Sequence, residues 1–483
     1  MSSLPRDRAP ERRAASALGL LASASLLAAC ATVPNLGPAP QPKAAAALAS
    51  TQSLTAPAGA WPTDRWWTAY GDAQLDALID EALAGSPDLA AAQARVRKAE
   101  AAQSSARAAL LPTVGAQGGV VETKQSYNSG IPPAFVPHGW NSAGQVSLNF
   151  DYEFDFWGKN RSAVAAAASE ARAAEADAAE ARLALSTGVA SAYADLVRLY
   201  AERDVAERST QVRGQTASLV SDRVTNGADT QAELSQAQAQ AATARAELQA
   251  TDEQIALTKN RIAALLGAGP DRALTIARPS KPSLNPFGLP ATLSADLVGR
   301  RPDLTAARWR AEAASRRIGV AKAQFYPNVN LAAAIGYQSL GISNLFLSGS
   351  STGQVGPAIS LPIFEGGRLQ AGFRGARADY DEAVASYDGV LTQALEQVAD
   401  AATSRKALDG RLTQSREALA DNEKAYALAL QRYRGGLSNY QSVLLVEDSL
   451  LQSRRAVADL QSRGVALDVQ LIKALGGGFA AAA

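Results

Sequence analysis

Few residues in this sequence have side chains suited to covalent or acid–base chemistry. The 483 residues include one cysteine, Cys30, and one histidine, His138. Neither a GxxxxGK[ST] phosphate-binding loop nor an HExxH zinc motif occurs. No Ser/His/Asp group or pair of carboxylates stands out as a catalytic arrangement. We therefore predict that the chain is not an enzyme and that it needs no dissociable cofactor or metal ion.

Cys30 ends a segment that resembles a bacterial export signal. Four arginines occur within the first 13 residues, and residues 14–29 are small or apolar and uncharged. Because this run is too short to stay in a bilayer as a spanning helix, we expect residues 1–29 to be a cleaved signal peptide. The sequence LAAC resembles the lipobox of bacterial lipoproteins, in which the thiol receives a diacylglyceryl group. We expect this covalent lipid on Cys30; the alternative is a small apolar cysteine in an ordinary signal peptide.

The composition favours a helical protein without a polyanionic partner. The 47 basic and 46 acidic residues give a formal net charge of +1, so binding to nucleic acid is not expected. Many alanines and only 6% aromatic residues favour long helices packed closely through small side chains. After Cys30 no apolar run of about 18 residues occurs, so we predict no transmembrane helix.

The chain contains an internal repeat with a shift of about 210 residues. PDLAAAQARVRKAEAAQSSARAALLPTV, from Pro87, matches PDLTAARWRAEAASRRIGVAKAQFYPNV, from Pro302. RVTNGADTQAELSQAQ likewise matches RYRGGLSNYQSVLLVE, and 40 residues separate the glycine of each from a later glycine, Gly267 or Gly476. We therefore predict a tandem duplication with repeats at 87–267 and 302–476. The remaining segments are 30–86, a Pro-rich linker at 268–301 and a tail at 477–483.

Each repeat contains three helical patterns. A long one of about 100 Å at 1.5 Å per residue ends at a glycine turn, and two shorter ones precede and follow it. Ala-rich helices of this length are typical of coiled-coil walls rather than globular cores. The predicted helices are Pro87–Leu111, Gly158–Asn226 and Ala228–Leu266 in the first repeat, and Pro302–Tyr326, Gly367–Gly435 and Leu437–Leu475 in the second.

Between the first and second helix of each repeat, side chains alternate as in a β-strand. Residues 146–155, VSLNFDYEFD, place an apolar row opposite a polar row that contains Asp151, Glu153 and Asp155. NVNLAAAIGY at 328–337 behaves likewise, and 113–121 and 355–363 are weaker partners. We predict β-hairpins at 113–156 and 328–364. Two interpretations remain: a soluble hairpin packed on one face, or strands of a transmembrane β-barrel. Four strands cannot close a barrel, but three copies would supply twelve.

The order and spacing of these elements resemble those of the TolC-like outer-membrane efflux proteins. Within that family the chain is most similar to the lipoprotein branch often called NodT-type. Proteins of this branch are the outer-membrane factors of RND-type efflux systems. The resemblance covers nearly all of the chain after Cys30. The motifs that carry it are DRWWTAYGDAQLDALIDEAL, LVGRRPDLTAARW, SLPIFEGGR and RYRGGLSNYQSVLLVED.

The resemblance implies an α+β membrane protein. Three copies would form a 12-stranded outer-membrane β-barrel, four strands per chain, continued by a long periplasmic α-helical coiled-coil barrel. Segments 30–86 and 268–301 would lie at an equatorial belt. The resemblance also implies that the channel passively conducts substrates to the exterior after a periplasmic adaptor and an inner-membrane pump have delivered them. Outer-membrane lipid would be a further partner.

The family pattern also implies roles for individual residues. The two turns at the periplasmic tips would bind the adaptor through Arg-x-x-x-Gly motifs and the residues that follow, which are Arg223, Gly227, Arg432, Gly436, Leu437 and Ser438. The gate would contain Tyr433 and Arg434, with Gln441 and Leu445 on the next helix. Because Leu445 stands where an acid is common, either Gln441 and Leu445 form an apolar and amide constriction or the gate is built differently. His138 would lie in an external loop.

The acidic strand row predicts a property of the lumen. Asp151, Glu153 and Asp155 would line it in three copies and favour cations. The same residues could instead do no more than keep a water-filled wall soluble.

Two other functions compete with the channel. A lipid-anchored periplasmic coiled-coil scaffold would also have long helices and a lipobox, but it has no use for strands with lipid-compatible faces. An envelope hydrolase is disfavoured because the sequence offers one histidine and no catalytic group around it.

Overall fold

The structure, a computed structural model, describes residues 32–49, 60–128, 130–280 and 299–480. The predicted signal peptide, Cys30 and most of the Pro-rich linker lie outside these residues. The chain divides into two compact units. The first unit comprises residues 1–42, 97–173 and 308–386, and the second comprises residues 43–96, 174–307 and 387–483.

The helices of the two halves have equal lengths. The long pair has 67 residues each, the pair that follows it has 35 each, and the pair before the strands has 22 each. Each predicted helix is present, and its ends lie within three residues of the predicted ends. The helices are α1 (Ala73–Gly85), α2 (Pro87–Ala108), α3 (Lys159–Thr225), α4 (Gln231–Leu265), α5 (Asp271–Leu274), α6 (Pro302–Ala323), α7 (Arg368–Arg434) and α8 (Tyr440–Ala474).

Local sequence explains where these helices begin and end. Pro87 is the first residue of α2, a position at which proline loses no helical hydrogen bond. The helix ends at Ala108 rather than at Leu111 because residues 109–111 form tighter turns before Pro112, such as Leu111 N to Ala108 O at 3.0 Å. Thr230 begins α4 with a reciprocal capping box to Glu233.

Four antiparallel strands form one sheet within the first unit. They are β1 (Thr113–Thr123), β2 (Asn141–Glu153), β3 (Asn328–Leu340) and β4 (Ser351–Ser360), in the order β1-β2-β3-β4. The two predicted hairpins are thus joined side by side through β2 and β3. Within the described residues, β1 and β4 each keep one edge without a strand partner.

The strand boundaries differ from the predicted ones. β2 begins at Asn141 instead of Val146 because residues 141–145, NSAGQ, pair with β1 although they show no apolar alternation. β2 ends at Glu153, so the prediction that Asp155 belongs to the strand was wrong. β4 runs from Ser351 to Ser360, not from Val355 to Ile363, and it ends at Ser360 because its partner there, Asn328, is the first residue of β3.

One face of the sheet is apolar. Pairs such as Leu148 with Ile335 and Ala333 with Val355 lie opposite each other, so their side chains share this face. Between positions 114–120, 144–152, 329–339 and 351–359 it carries no charged side chain. Leu148, Ile335 and Val355 are all exposed in the chain. The opposite face is polar and contains Asp151 and Glu153.

The second unit has its own apolar core. Trp66, Trp67 and Tyr70, which precede α1, are fully buried against Tyr193 of α3 and Ile262 of α4. The motif DRWWTAYGD therefore packs a short N-terminal segment onto the long helices. Among the described residues, no helix has the length and apolar character that a membrane crossing requires.

Candidate functional site at the helix turns

Two helix turns carry most of the predicted site residues. Gly227 lies between α3 and α4, and Gly436 lies between α7 and α8, with φ angles of 69° and 73°. In both turns the N–H of the residue after the glycine donates to an arginine carbonyl, Arg223 or Arg432, at 2.8 Å. Only glycine adopts this left-handed conformation without strain, so the predicted turn role of both glycines is confirmed.

Arg223, Asp229 and Tyr433 form a hydrogen-bonded group that joins the two turns. Arg223 donates from Nε and Nη2 to the two carboxylate oxygens of Asp229, at 2.9 and 3.2 Å. Its Nη1 donates to the backbone carbonyl of Tyr433 at 3.2 Å, and its guanidinium lies 4.5 Å from the centre of the Tyr433 ring. The Tyr433 hydroxyl donates to Asp229. One carboxylate thus binds both a guanidinium of its own turn and a phenol of the other.

Burial and these bonds set the protonation states of the group. Burial alone would disfavour the charge of Asp229, whose side chain is 5% exposed. Hydrogen bonds from Arg223 and Tyr433 outweigh that cost and lower the pKa of Asp229 below its ordinary value. Burial and the bond to Asp229 raise the pKa of Tyr433, so the phenol keeps its proton. The group is therefore an ionised carboxylate held by two donors at neutral pH.

The second turn lacks this arrangement. Ser438 stands two residues after Gly436, where Asp229 stands two residues after Gly227. Within the described part of the chain, Arg432 is exposed and has no ion pair, and the Ser438 hydroxyl is buried without a hydrogen-bond partner. Leu437 is 74% exposed. The second turn thus presents a cationic and an apolar side chain to the surroundings.

The predicted gate residues occupy two different environments. Tyr433 is fully buried in an apolar cluster beneath the turns, with Tyr440 and Val443 among its neighbours. Arg434, Gln441 and Leu445 are exposed. The structure therefore brings Tyr433 to Asp229 and Arg223, but it does not bring the other three predicted residues to them.

Glu447, on the other hand, is buried. Its side chain is 2% exposed, accepts a hydrogen bond from Thr216 of α3 at 3.2 Å, and lies 3.5 Å from Nε of Arg213. Arg213 also donates to Asp448 at 2.6 Å and to the side chain of Gln240 of α4 at 2.6 Å. The sequence alone does not reveal this cluster, because the partners of Glu447 and Asp448 come from other helices.

The predicted lumen residues differ from one another. Asp151 is exposed, and no ion pair or side-chain hydrogen bond involves its carboxylate within the described residues. Glu153 forms an ion pair of 2.6 Å with Lys159. Asp155 lies after β2 and accepts hydrogen bonds from the backbone N–H groups of Asn160 and Arg161, at 3.1 and 2.9 Å, at the start of α3. Asp155 is a helix-capping residue, which corrects its placement in the strand row.

The remaining predicted residues give less information. Cys30 lies outside the described residues, so its lipid remains a prediction. His138 lies in the β1–β2 loop, where its ring centre is 5.1 Å from that of Tyr127. Among the described residues, no cluster of His, Cys, Asp or Glu could hold a metal ion.

Comparison with known proteins gives a consistent match over most of the chain. The family described as "Outer membrane efflux protein" matches residues 78–268 and 293–477. Fusaric acid resistance protein FusA of Burkholderia cepacia is 36% identical over 382 residues, which are 77% of this chain and 71% of that protein. Multidrug resistance outer membrane protein MdtP of Escherichia coli K12 is 30% identical over 469 residues, 96% of each chain.

A solved structure shows the same fold. The outer membrane protein VceC of Vibrio cholerae superposes with a TM-score of 0.82 at 48% sequence identity. The match covers 87% of this chain and 100% of that one.

Proposed function

The chain belongs to the outer membrane efflux protein family, as its motifs predicted, and on that premise we propose that it forms the outer-membrane channel of a tripartite export system. In this proposal three copies close one 12-stranded barrel, and their helices enclose a periplasmic passage. A periplasmic adaptor and an inner-membrane pump deliver the substrate, which leaves without chemical change. The equal helix lengths of the two halves support a tandem duplication as the origin of this architecture.

The sheet is the observation that carries the proposal. One face is apolar and exposed, and between positions 114–120, 144–152, 329–339 and 351–359 it carries no charged side chain, as the lipid-facing surface of a barrel requires. Glu122 lies on this face only at the end of β1, opposite Ser142. The strands β1 and β4 each lack a partner on one edge, and an open edge is not tolerated in lipid. Joining β4 of one copy to β1 of the next removes every edge at once. Three copies give an even number of strands within the range that such barrels use.

The N-terminal segment supports a second attachment to the membrane through Cys30. Pro38 and Pro40 accept hydrogen bonds from Arg377 and Tyr380 of α7 through their backbone carbonyls, at 2.5 and 3.0 Å. Val33 packs on a cluster that contains Leu369, one residue after α7 begins. These contacts hold residues 33–40 against α7, and the proposed lipid attachment site Cys30 precedes them in the sequence.

The two turns supply the gate and the docking surface. The bond between Tyr433 and Asp229 ties α7 to the start of α4, so we assign it to the closed state of the passage. The exposed residues Arg432 and Leu437 are available to the adaptor, and the exposed Arg434 is assigned to the gate. Gln441 and Leu445, exposed on α8, are proposed to narrow the passage with amide and apolar side chains.

Oligomeric mass and conductance together test this function. The full chain is expressed with its signal, extracted from outer membranes in detergent, and its protein mass is measured. It is then recorded in planar lipid bilayers. We expect a trimer with discrete conductance steps. A monomer that never conducts would contradict the channel and support the lipid-anchored scaffold.

A further inference from the structure

A buried cluster of charged residues lies deeper in the helices than the turns, and the proposed gate does not use it. Arg213 of α3 lies ten residues, or about 15 Å, before Arg223. It contacts Glu447 and Asp448 of α8 and Gln240 of α4. Thr216 of α3 completes the contacts of Glu447. The cluster therefore joins α3 and α4 to α8 through polar side chains in an otherwise apolar packing.

Glu447 is the member of the cluster whose burial opposes its ionisation. A carboxylate loses most of its hydration when 98% of its side chain is covered, and Arg213 and Thr216 supply only part of the compensation. Asp448, its neighbour in the sequence, is 42% exposed and accepts a hydrogen bond of 2.6 Å from Arg213, shorter than the 3.5 Å contact of Arg213 with Glu447. The guanidinium is thus divided between two carboxylates, and the buried one has the weaker contact.

This geometry assigns a role in opening. Any movement that separates α8 from α3 withdraws Glu447 from Arg213 and Thr216 and exposes it to water. We propose that Arg213 and Glu447 form a second, pH-dependent lock of the proposed gate, in which Arg213 is the positioning residue and the charge of Glu447 favours opening. This inference rests on the channel function proposed above.

Several groups face Glu447 or its partners. From α3 they are Arg213 and Thr216, from α4 Gln240, from α7 Tyr426 and Arg434, and from α8 Tyr440, Asp448 and Arg454. Burial, followed by repulsion from Glu447, raises the pKa of Tyr440 to about 12, so this phenol stays neutral in the working range. Glu447 is therefore the buried carboxyl group of this cluster, and its pKa is raised above the ordinary value.

The direction of the pH effect follows from the closed state. Burial is the main cause that raises the pKa of Glu447 above its ordinary value, although Thr216 and Arg213 oppose it. Protonated Glu447 therefore favours the closed arrangement, and this contribution is fully present below its ordinary pKa. It is lost as the pH rises through the raised pKa, so opening becomes easier toward neutral and alkaline pH.

Single-channel recording of the full trimer between pH 4.5 and 8 tests the lock. We expect the open fraction of the wild type to rise with pH by up to about tenfold per unit within the titration range. Glu447→Gln keeps a hydrogen bond to Thr216 without a charge, so we expect it to stay mostly closed with a flat profile. Arg213→Met leaves the carboxylate without its cation, so we expect more opening and a steeper rise. Arg203→Met removes a more exposed ion pair of the same helix and is expected to match the wild type.

The outcomes separate this inference from the function beneath it. A trimer that conducts with the same pH profile in the wild type and Glu447→Gln overturns the second lock and leaves the channel intact. A chain that never conducts overturns the channel itself. If Arg213→Met does not assemble, the double variant Arg213→Met with Glu447→Gln decides: we expect it to assemble and stay closed, and failure to assemble shows that Arg213 serves folding alone.

Discussion

The phenol of Tyr433 donates a hydrogen bond to the carboxylate of Asp229, which lies 204 residues earlier in the chain. The same carboxylate holds Arg223, so it links a residue of its own turn to a residue of the other turn. Removing the hydroxyl oxygen of Tyr433 breaks the link and leaves the apolar packing around the ring in place.

Tyr433→Phe is therefore expected to favour the open channel. It removes one hydrogen bond to a charged group, which contributes about 1.5–3 kcal/mol, while the ring still packs on Tyr440. We expect the open fraction in planar bilayers to rise about tenfold or more. Tyr200→Phe is the matched control, since Tyr200 lies on α3 far from the turns. An unchanged open fraction in Tyr433→Phe would mean that Tyr433 acts only through packing.

Acid is expected to loosen the turns through Asp229. Because the pKa of Asp229 is lowered in the closed state, its contribution is present above its ordinary pKa of about 4 and is lost as the pH falls further. Recordings below pH 4 should show renewed opening in the wild type. Asp229→Asn should already be partly open at neutral pH and show no acid-dependent step. An acid step that survives in Asp229→Asn would assign it to another group.

Cation preference is expected to depend on Asp151 in particular. In the proposed trimer, three copies of Asp151, which has no ion pair among the described residues, would lie on the polar face of the sheet, whereas Glu153 is paired with Lys159. Asp151→Asn should shift the reversal potential in a salt gradient toward lower cation selectivity. The double variant Glu153→Gln with Lys159→Gln removes a pair of opposite charges and should leave the reversal potential near the wild-type value. Equal shifts in both variants would contradict the assignment.

Asp468 is expected to make stability depend on pH. It is 2% exposed and bonded to Arg405 at 3.0 Å, and burial raises its pKa to about 6 in spite of that partner. Its stabilising contribution is complete below about pH 4 and is lost as the pH rises through about 6. Asp468→Asn should raise the free energy of unfolding at pH 8 by about 2 kcal/mol and leave it nearly unchanged at pH 4.

The change in stability at pH 4 and at pH 8 is measured in detergent by following the thermal loss of the helical circular dichroism signal. Asp421→Asn, an exposed residue of α7, serves as the control and should show no such dependence. A gain in Asp468→Asn that is equal at both pH values would point to a cause other than ionisation.

Replacing Cys30 is expected to remove the lipid without abolishing assembly. Cys30→Ser should block labelling by a radioactive or clickable fatty acid. The barrel and the contacts of Arg377 and Tyr380 with the N-terminal segment remain, so a detergent-extractable trimer should persist once export has occurred. Complete loss of the trimer in exported protein would show that acylation is needed for assembly.

Much of the fold follows from local sequence. The six helices of the two repeats could be predicted within three residues because each ends at a proline or a glycine turn and keeps one period throughout, whereas α1 and α5 were not predicted. The start of β2 could not, because NSAGQ alternates no apolar side chains and becomes a strand only by pairing with β1. Asp155 follows the polar row in sequence, but α3 needs its carboxylate as a cap.

The site was harder to predict because its contacts join distant segments. Tyr433 and Arg223 were identified from the turn motifs, but Asp229 looked like an ordinary polar residue before a helix. Glu447 reads as a carboxylate of an exposed helix face until Arg213 and Thr216 are seen to cover it. The signal that could have found Asp229 is the repeat itself, since the two copies differ there, with aspartate in one and Ser438 in the other.

That difference has a consequence for assembly. A ring of three chains would display the Gly227 turn and the Gly436 turn alternately, six in all but of two chemical kinds. In one kind the arginine forms an ion pair with Asp229; in the other, Arg432 has no ion pair among the described residues. A partner with one contact surface per turn would therefore occupy two classes of site in equal number. Titration of the partner should resolve two affinities, of which the Gly436 class is the more sensitive to salt.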